Sequence, residues 1–154
     1  MIFSNVEPIL KDSYLAFIKN SVSSKSFQNF YAKVGGRKKD ILETGNFSCS
    51  FFVSSVLLIF DLIEKRHMTV RGTIADLEDN GWFEIKKPKK GSVLIWKQEK
   101  GHSHIGFFIG ANQAISNSSR KQTPQVHHLT FGKNKKGQPN RPIIKILWHN
   151  KLDD

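Results

Sequence analysis

Apolar positions recur at mostly three-to-four spacing early in the chain: Ile9, Leu15, Phe17, Ile18, Phe27, Phe30 and Tyr31. That period lines one face of a helix, and Pro8 suits a helix start, so residues 8–33 are predicted to be helical. The Ser21-Val22-Ser23-Ser24 stretch should divide them into two helices. Residues 35–46, with Gly35-Gly36, a basic cluster and Gly45, read as a loop. In residues 49–64 the pattern changes: Phe51, Phe52, Val53, Val56, Leu57, Leu58, Ile59, Phe60, Leu62 and Ile63 wrap most of a helical circumference. A helix apolar nearly all round is a buried central one, with Asn46 or Ser48 as its N-cap. A short helix over residues 73–80 should end at Gly81 as a C-cap glycine.

Beyond Trp82 the pattern becomes that of strands: residues 92–96, 104–109, 113–116 after the turn Gly110-Ala111-Asn112, 126–131, and 143–148. Residues 133–141 are a polar loop holding Gly and Pro. No internal repeat is found. Helices first and strands later describe an α+β domain, and 154 residues suffice for one such domain over residues 1–154.

Charge adds a possible partner. The chain carries 24 Lys and Arg against 13 Asp and Glu, a net +11, which predicts affinity for polyanions such as nucleic acid, anionic wall polymer or an acidic membrane surface. A solubilising surface explains the same charge. The basic groups are short and scattered, without the interleaved aromatics of a single-strand binder and without a zinc-finger or helix-turn-helix signature. The longest apolar run, residues 51–63, is broken by Ser54, Ser55 and Asp61 and is too short to cross a bilayer, so stable membrane insertion is not expected. Residues 1–7 lack a basic stretch followed by an apolar one, so a cytoplasmic location is expected unless export takes another route.

Candidate chemistry centres on Cys49. As the only cysteine it cannot form an intramolecular disulfide or a Cys-rich metal site. It falls in the first turn of the buried helix, where unpaired amides and the helix dipole favour an anion; this predicts a lowered thiol pKa. The Cys49 amide could also donate to an oxyanion. His104 opens a strand in which alternation puts His104, Gly106 and Phe108 on one face, and Gly106 should leave space beside the imidazole for the helix carrying Cys49. A third polar group should orient that imidazole, and the returning strand offers Ser116 and Asn117. His67, His102 and His149 read as surface or loop residues. The His102-x-His104 pair lacks a nearby carboxylate, so neither a metal site nor any other cofactor is expected.

Several segments carry a family resemblance. Gly45-Asn46-Phe47-Ser48-Cys49-Ser50-Phe51-Phe52-Val53 resembles the nucleophile segment of the NlpC-type and CHAP-type cell-wall peptidases, where Asp-Cys-Ser-Gly-Phe-Val or a near variant opens the central helix. Gly91-Ser92-Val93-Leu94-Ile95-Trp96 resembles their Gly-Asp-Leu-Val-Phe-Trp strand, and His104-Ile105-Gly106-Phe107-Phe108-Ile109-Gly110 resembles the strand carrying their catalytic His. Tyr31-Ala32-Lys33-Val34-Gly35-Gly36 resembles a Pro-Tyr-x-x-Gly-Gly segment upstream of the nucleophile. The chain departs from the pattern at Ser48, where the family has Asp, at Phe51, where it has Gly, and at Ser116, where NlpC-type members often have a second His.

The resemblance implies a papain-like fold and a cysteine peptidase or amidase with no cofactor, acting on a peptidoglycan stem peptide or cross-bridge. Cys49 would be the nucleophile and His104 the base. Asn117 is the preferred orienting residue, since papain-like enzymes commonly use Asn, with Ser116 as the alternative and His127 and His128 as further candidates if the loop folds back. Tyr31, Gly35 and Gly36 would shape the substrate side, although a core aromatic and a turn explain them as well. The alternatives are a non-catalytic polyanion-binding module on the same fold and a thiol acyltransferase or deamidase.

Overall fold

The computed structural model describes residues 5–153; residues 1–4, on which the expectation of no leader partly rests, lie outside them. The architecture is α+β. Helices α1 (Leu10–Asn20), α2 (Cys49–Ile59) and α3 (Val70–Asp79) accompany a two-stranded hairpin, β1 (Tyr31–Val34) and β2 (Arg37–Asp40), and a six-stranded antiparallel sheet. Strands β3 (Phe83–Glu84), β4 (Val93–Glu99), β5 (His102–Gly110), β6 (Gln113–Ser118), β7 (Thr123–His128) and β8 (Ile143–Trp148) are ordered β3-β8-β4-β5-β6-β7. Among the described residues, no helix is long and apolar enough to cross a membrane.

The first helix is shorter than its periodicity predicts. After α1, Ser21 turns its hydroxyl back to the Phe17 carbonyl at 2.8 Å, and Lys25–Phe27 forms one 3-10 turn rather than a second helix. Residues 31–40, read as helix end and loop, form the hairpin, with Gly35 and Gly36 at φ +57° and +78° in its two-residue turn. That left-handed pair is what a tight hairpin with matching strand twist requires. Asp40 then gathers the next loop: its carboxylate accepts from the amides of Phe30, Leu42 and Thr44 at 2.9–3.1 Å and from Asn29 Nδ2 at 2.7 Å.

Helix α2 buries Phe52, Val53, Val56 and Leu57 completely and packs against β5 and β6. It stops at Ile59 rather than continuing to residue 64. Asp61 adopts φ +52°, the Leu62 amide donates to the Leu57 carbonyl at 3.0 Å, and the Asp61 amide donates to Leu58. This is a Schellman ending with Asp in the left-handed position. Helix α3 begins earlier than predicted because Thr69 caps it, accepting from the Gly72 amide at 3.1 Å. It ends as expected, with Gly81 at φ +85° and the Trp82 amide on the Leu77 carbonyl.

The sheet separates two apolar regions. Ile105, Phe107, Ile115, Val93 and Ile95 face the helices and join the main core. Leu94, Trp96 and Ala114, with Phe108, Leu129, Ile143 and Ile146, form a second cluster on the other face. Strand alternation assigns His104, Gly106 and Ser116 to this second face. The candidate residues on β5 and β6 therefore sit where these strands leave the core, next to the start of α2.

Candidate active site

Cys49 is the first residue of α2. Ser48 precedes it as the N-cap residue but makes no capping bond, and its hydroxyl is buried without a partner. Ser48 thus leaves the first turn of the helix uncapped, the arrangement that can serve a developing oxyanion. The loop leading in is fixed from two sides. The Gly45 amide donates to the Gln28 carbonyl at 2.7 Å, and Asn117 Nδ2 donates to the Gly45 carbonyl at 2.8 Å. Gly45 has φ +85°, and a β-carbon there would collide with the Gln122 carbonyl.

Burial pushes the Cys49 thiol above its ordinary pKa. The Ser50 hydroxyl and amide, the Ile105 amide and the Arg141 charge act in the opposite direction without overcoming it. Helix position alone predicts a lowered value; desolvation of the thiolate is the larger effect here. The effect of the Ile105 amide also ties the thiol to the strand that carries His104. Among the described residues, no hydrogen bond joins the thiol to the imidazole.

The His104 imidazole is half-buried, and its pKa falls to about 3, chiefly through desolvation, then through the Arg141 and His127 charges. It is a neutral ring at neutral pH. Its Nε2 lies 2.8 Å from Ser116 Oγ, which lies 2.7 Å from His127 Nε2, and His127 Nδ1 lies 2.8 Å from the His128 carbonyl. Aromatic rings surround this chain of contacts. Phe131 stacks on His127 with centroids 4.0 Å apart at 13°, and Trp96 stands 5.3 Å from His104 and 5.4 Å from His127. Trp96 Nε1 is anchored on the Leu129 carbonyl at 2.8 Å.

Gly106 does leave space, but for a different neighbour than expected. A β-carbon there would meet the Ile115 carbonyl at 2.6 Å, Ser116 Cβ at 2.7 Å and Trp96 at 3.0 Å. The neighbouring strand, rather than the helix, occupies the room.

Cys49, His104, Ser116 and His127 line one cleft of about 950 Å³. Arg71, Arg120, Lys121 and Arg141 line it too, and no Asp or Glu does among the described residues. Arg141 is held in place by donating to the carbonyls of Lys97 and His102 at 2.9 and 2.8 Å.

The other predicted residues fall elsewhere or do other work. Asn117 borders the cleft, but its amide nitrogen bonds Gly45 rather than His104. One residue further along β6 than Ser116, it points to the opposite face of the sheet. Tyr31 is 59% exposed on β1, with Lys38 over its ring, and Gly35 and Gly36 form the hairpin turn; none of the three lines the cleft. His67 and His149 lie in loops, as expected, and each is bonded there: His67 pairs with Asp76 at 2.6 Å and His149 meets the Asn80 carbonyl at 2.9 Å. His128 contributes its carbonyl to His127, while its Nδ1 accepts from the amides of Thr130 and Gly132.

Arg141, Trp96 and Phe131 were not singled out from the sequence as site residues. The Gly91–Trp96 motif gave a signal for Trp96. Nothing local distinguishes Arg141 from the chain's other cations.

No curated protein matches the chain. The model of the NlpC/P60 family matches residues 29–136, well over half of the chain and a span that contains Cys49, His104, Ser116 and His127. The chain, with its α+β papain-like architecture, belongs to the NlpC/P60 family.

Proposed function

We propose that this protein is a thiol-dependent amide hydrolase whose substrate is the peptide part of peptidoglycan, with Cys49 as nucleophile and His104 as base. Family membership supports a cell-wall peptidase or amidase kind of function. The observation that carries the finer reading is that the only thiol lines one cleft with a neutral imidazole whose Nε2 is already engaged. The free nitrogen of His104, Nδ1, is the one left to receive a proton.

In this reading His104 Nδ1 takes the thiol proton as Sγ attacks the amide carbonyl. The C=O electron pair moves to oxygen, and the first-turn amides of α2 hold the oxyanion. Collapse breaks the C–N bond, and the imidazolium passes its proton to the leaving amine. Water, deprotonated by His104, then cleaves the thioester and restores thiol and imidazole. The raised thiol pKa and the lowered imidazole pKa favour a neutral resting pair, with ionisation occurring as the bond forms. The four cations and the absence of carboxylates along the cleft suit a substrate bearing carboxylates.

Purified peptidoglycan should yield new amine-ended fragments by mass spectrometry. Cys49→Ala and His104→Ala should each lose roughly 10³-fold or more of that activity while still unfolding cooperatively. Wild-type activity in either variant would overturn the assignment. The net charge of +11 favours one second reading, a polyanion-binding module. A salt-sensitive mobility shift with DNA, unchanged by Cys49→Ala, together with no peptidoglycan cleavage, would support it.

A further inference from the structure

A serine hydroxyl is by itself a weak device for orienting a catalytic imidazole. It rotates freely, and it can donate to Nε2 as readily as accept from it. If it donated, the His104 proton would sit on Nδ1, and the ring could not receive the thiol proton there. Something must fix the direction of the Ser116 hydroxyl.

We propose that His127 does so, and that Ser116 and His127 act as a two-residue positioning relay that holds His104 in its Nε2–H tautomer. The proposal rests on the reading of His104 as the base. Its direction follows from the far end of the chain of contacts. The His128 carbonyl can only accept, so His127 Nδ1, 2.8 Å away, carries the proton. In the neutral ring Nε2 is then an acceptor. Ser116 Oγ, 2.7 Å from that nitrogen, gives it its single proton and turns its lone pairs to His104 Nε2 at 2.8 Å. His104 must donate there, which leaves Nδ1 unprotonated. A backbone carbonyl thereby sets the tautomer of an imidazole three hydrogen bonds away.

The surroundings hold this order. Burial lowers the His127 pKa, which keeps the ring neutral and its Nε2 an acceptor. Phe131 stacks flat on His127 and fixes the ring plane, while Trp96 closes against both imidazoles. The register pairs Ala114 with His127 and Gly106 with Ser116, so three adjacent strands bring the groups onto one face. The small side chain at position 116 leaves a gap between His104 and β7, and His127 fills it from the next strand.

The test uses the full chain with ¹⁵N-labelled histidine. Long-range ¹H–¹⁵N spectra read the tautomer of each ring without any substrate. Wild-type His104 should be in the Nε2–H form. His127→Phe keeps a ring to stack on Phe131 but removes the acceptor. It should leave His104 in mixed tautomers and lower kcat on peptidoglycan by roughly 10- to 100-fold with KM little changed. His127→Gln offers a carbonyl to Ser116 and should recover most of the loss. Ser116→Ala should resemble His127→Phe, and the double variant should be no worse than either single one.

A wild-type tautomer and kcat in His127→Phe, or additive losses in the double variant, would overturn the relay. Failure of the underlying hydrolase reading looks different: His104→Ala and Cys49→Ala would stay active. The tautomer decides the relay in either case.

Discussion

Gly106 pairs directly with Ser116 across β5 and β6, and a β-carbon on Gly106 would stand 2.7 Å from Ser116 Cβ. The Gly106 backbone is not left-handed, so the need for glycine here is one of space alone. The same site meets the rigid Ile115 carbonyl and the Trp96 ring, neither of which can move aside cheaply. Gly106→Ala should therefore push β6 away from β5 and lengthen the contact between His104 and Ser116. Overpacking of this kind costs about 1–3 kcal/mol. We expect a lower Tm and, in the protein that remains folded, a kcat reduced roughly 100-fold, since a shift of about 1 Å in a catalytic group can cost that much. An alanine variant with wild-type kcat would show that the β5–β6 spacing does not govern His104.

Asn117 supports the site from the other face of the same strand. Its Nδ2 holds the Gly45 carbonyl at 2.8 Å, which fixes the loop leading into Cys49, while its Oδ1 is buried without a partner. Asn117→Ala would leave the Gly45 carbonyl unpaired and should destabilise the fold by about 1–3 kcal/mol, as measured by urea unfolding. Asn117→Asp should be no milder, because an ionised carboxylate cannot donate to a carbonyl. The tautomer of His104 should not change in either variant. A changed tautomer would mean that Asn117 orients the imidazole after all.

These two positions show how far the sequence could be read. Alternation along β6 separates Ser116 from Asn117, but it assigns the face of His104 to Ser116 only once the register of Gly106 opposite Ser116 is known. No local pattern encodes that register. The same holds for His127, which reaches Ser116 because β7 returns beside β6 with Gln125 opposite Ser116 and Ala114 opposite His127. Helix α2 was legible because its apolar residues serve one buried element. The hairpin was not, because Lys33, Arg37, Lys38 and Lys39 are solvent-exposed and show no apolar alternation. Phe27 and Phe30 mimicked a helical period although one ends a 3-10 turn and the other lies before β1. The rise in the Cys49 pKa was not legible either, because burial of a first-turn residue depends on what the sheet places against it.

Asp40 makes the approach to the site sensitive to acid. Burial pushes its carboxyl pKa up, but hydrogen bonds from Thr44, Phe30, Asn29 and Leu42 outweigh this and hold it at about 2. A depressed folded-state pKa contributes stability that is full above the unfolded value of about 3.9 and is lost as pH falls through the folded value. Wild type should therefore exceed Asp40→Asn in urea stability by a constant margin at pH 7 and pH 5, and by a shrinking one between pH 4 and pH 2. An equal margin at pH 7 and pH 2.5 would refute this account.

Arg141 acts on both members of the proposed pair at once. Its charge lowers the His104 pKa, where it ranks behind burial, and it also opposes the burial that raises the Cys49 pKa. A cation disfavours an imidazolium and favours a thiolate, so removing it should raise both values. In Arg141→Gln, the NMR titration of His104 should move up from about 3. The pH dependence of Cys49 alkylation by iodoacetamide should move further above that of an ordinary cysteine, so that alkylation at neutral pH slows. Arg141→Lys keeps the charge but loses the guanidinium fork on the Lys97 and His102 carbonyls; both titrations should then stay near wild type even if Tm falls. If wild-type alkylation were already at its plateau at pH 6, the pair would rest as thiolate and imidazolium. The neutral resting state, and the role given to burial in setting it, would then be wrong.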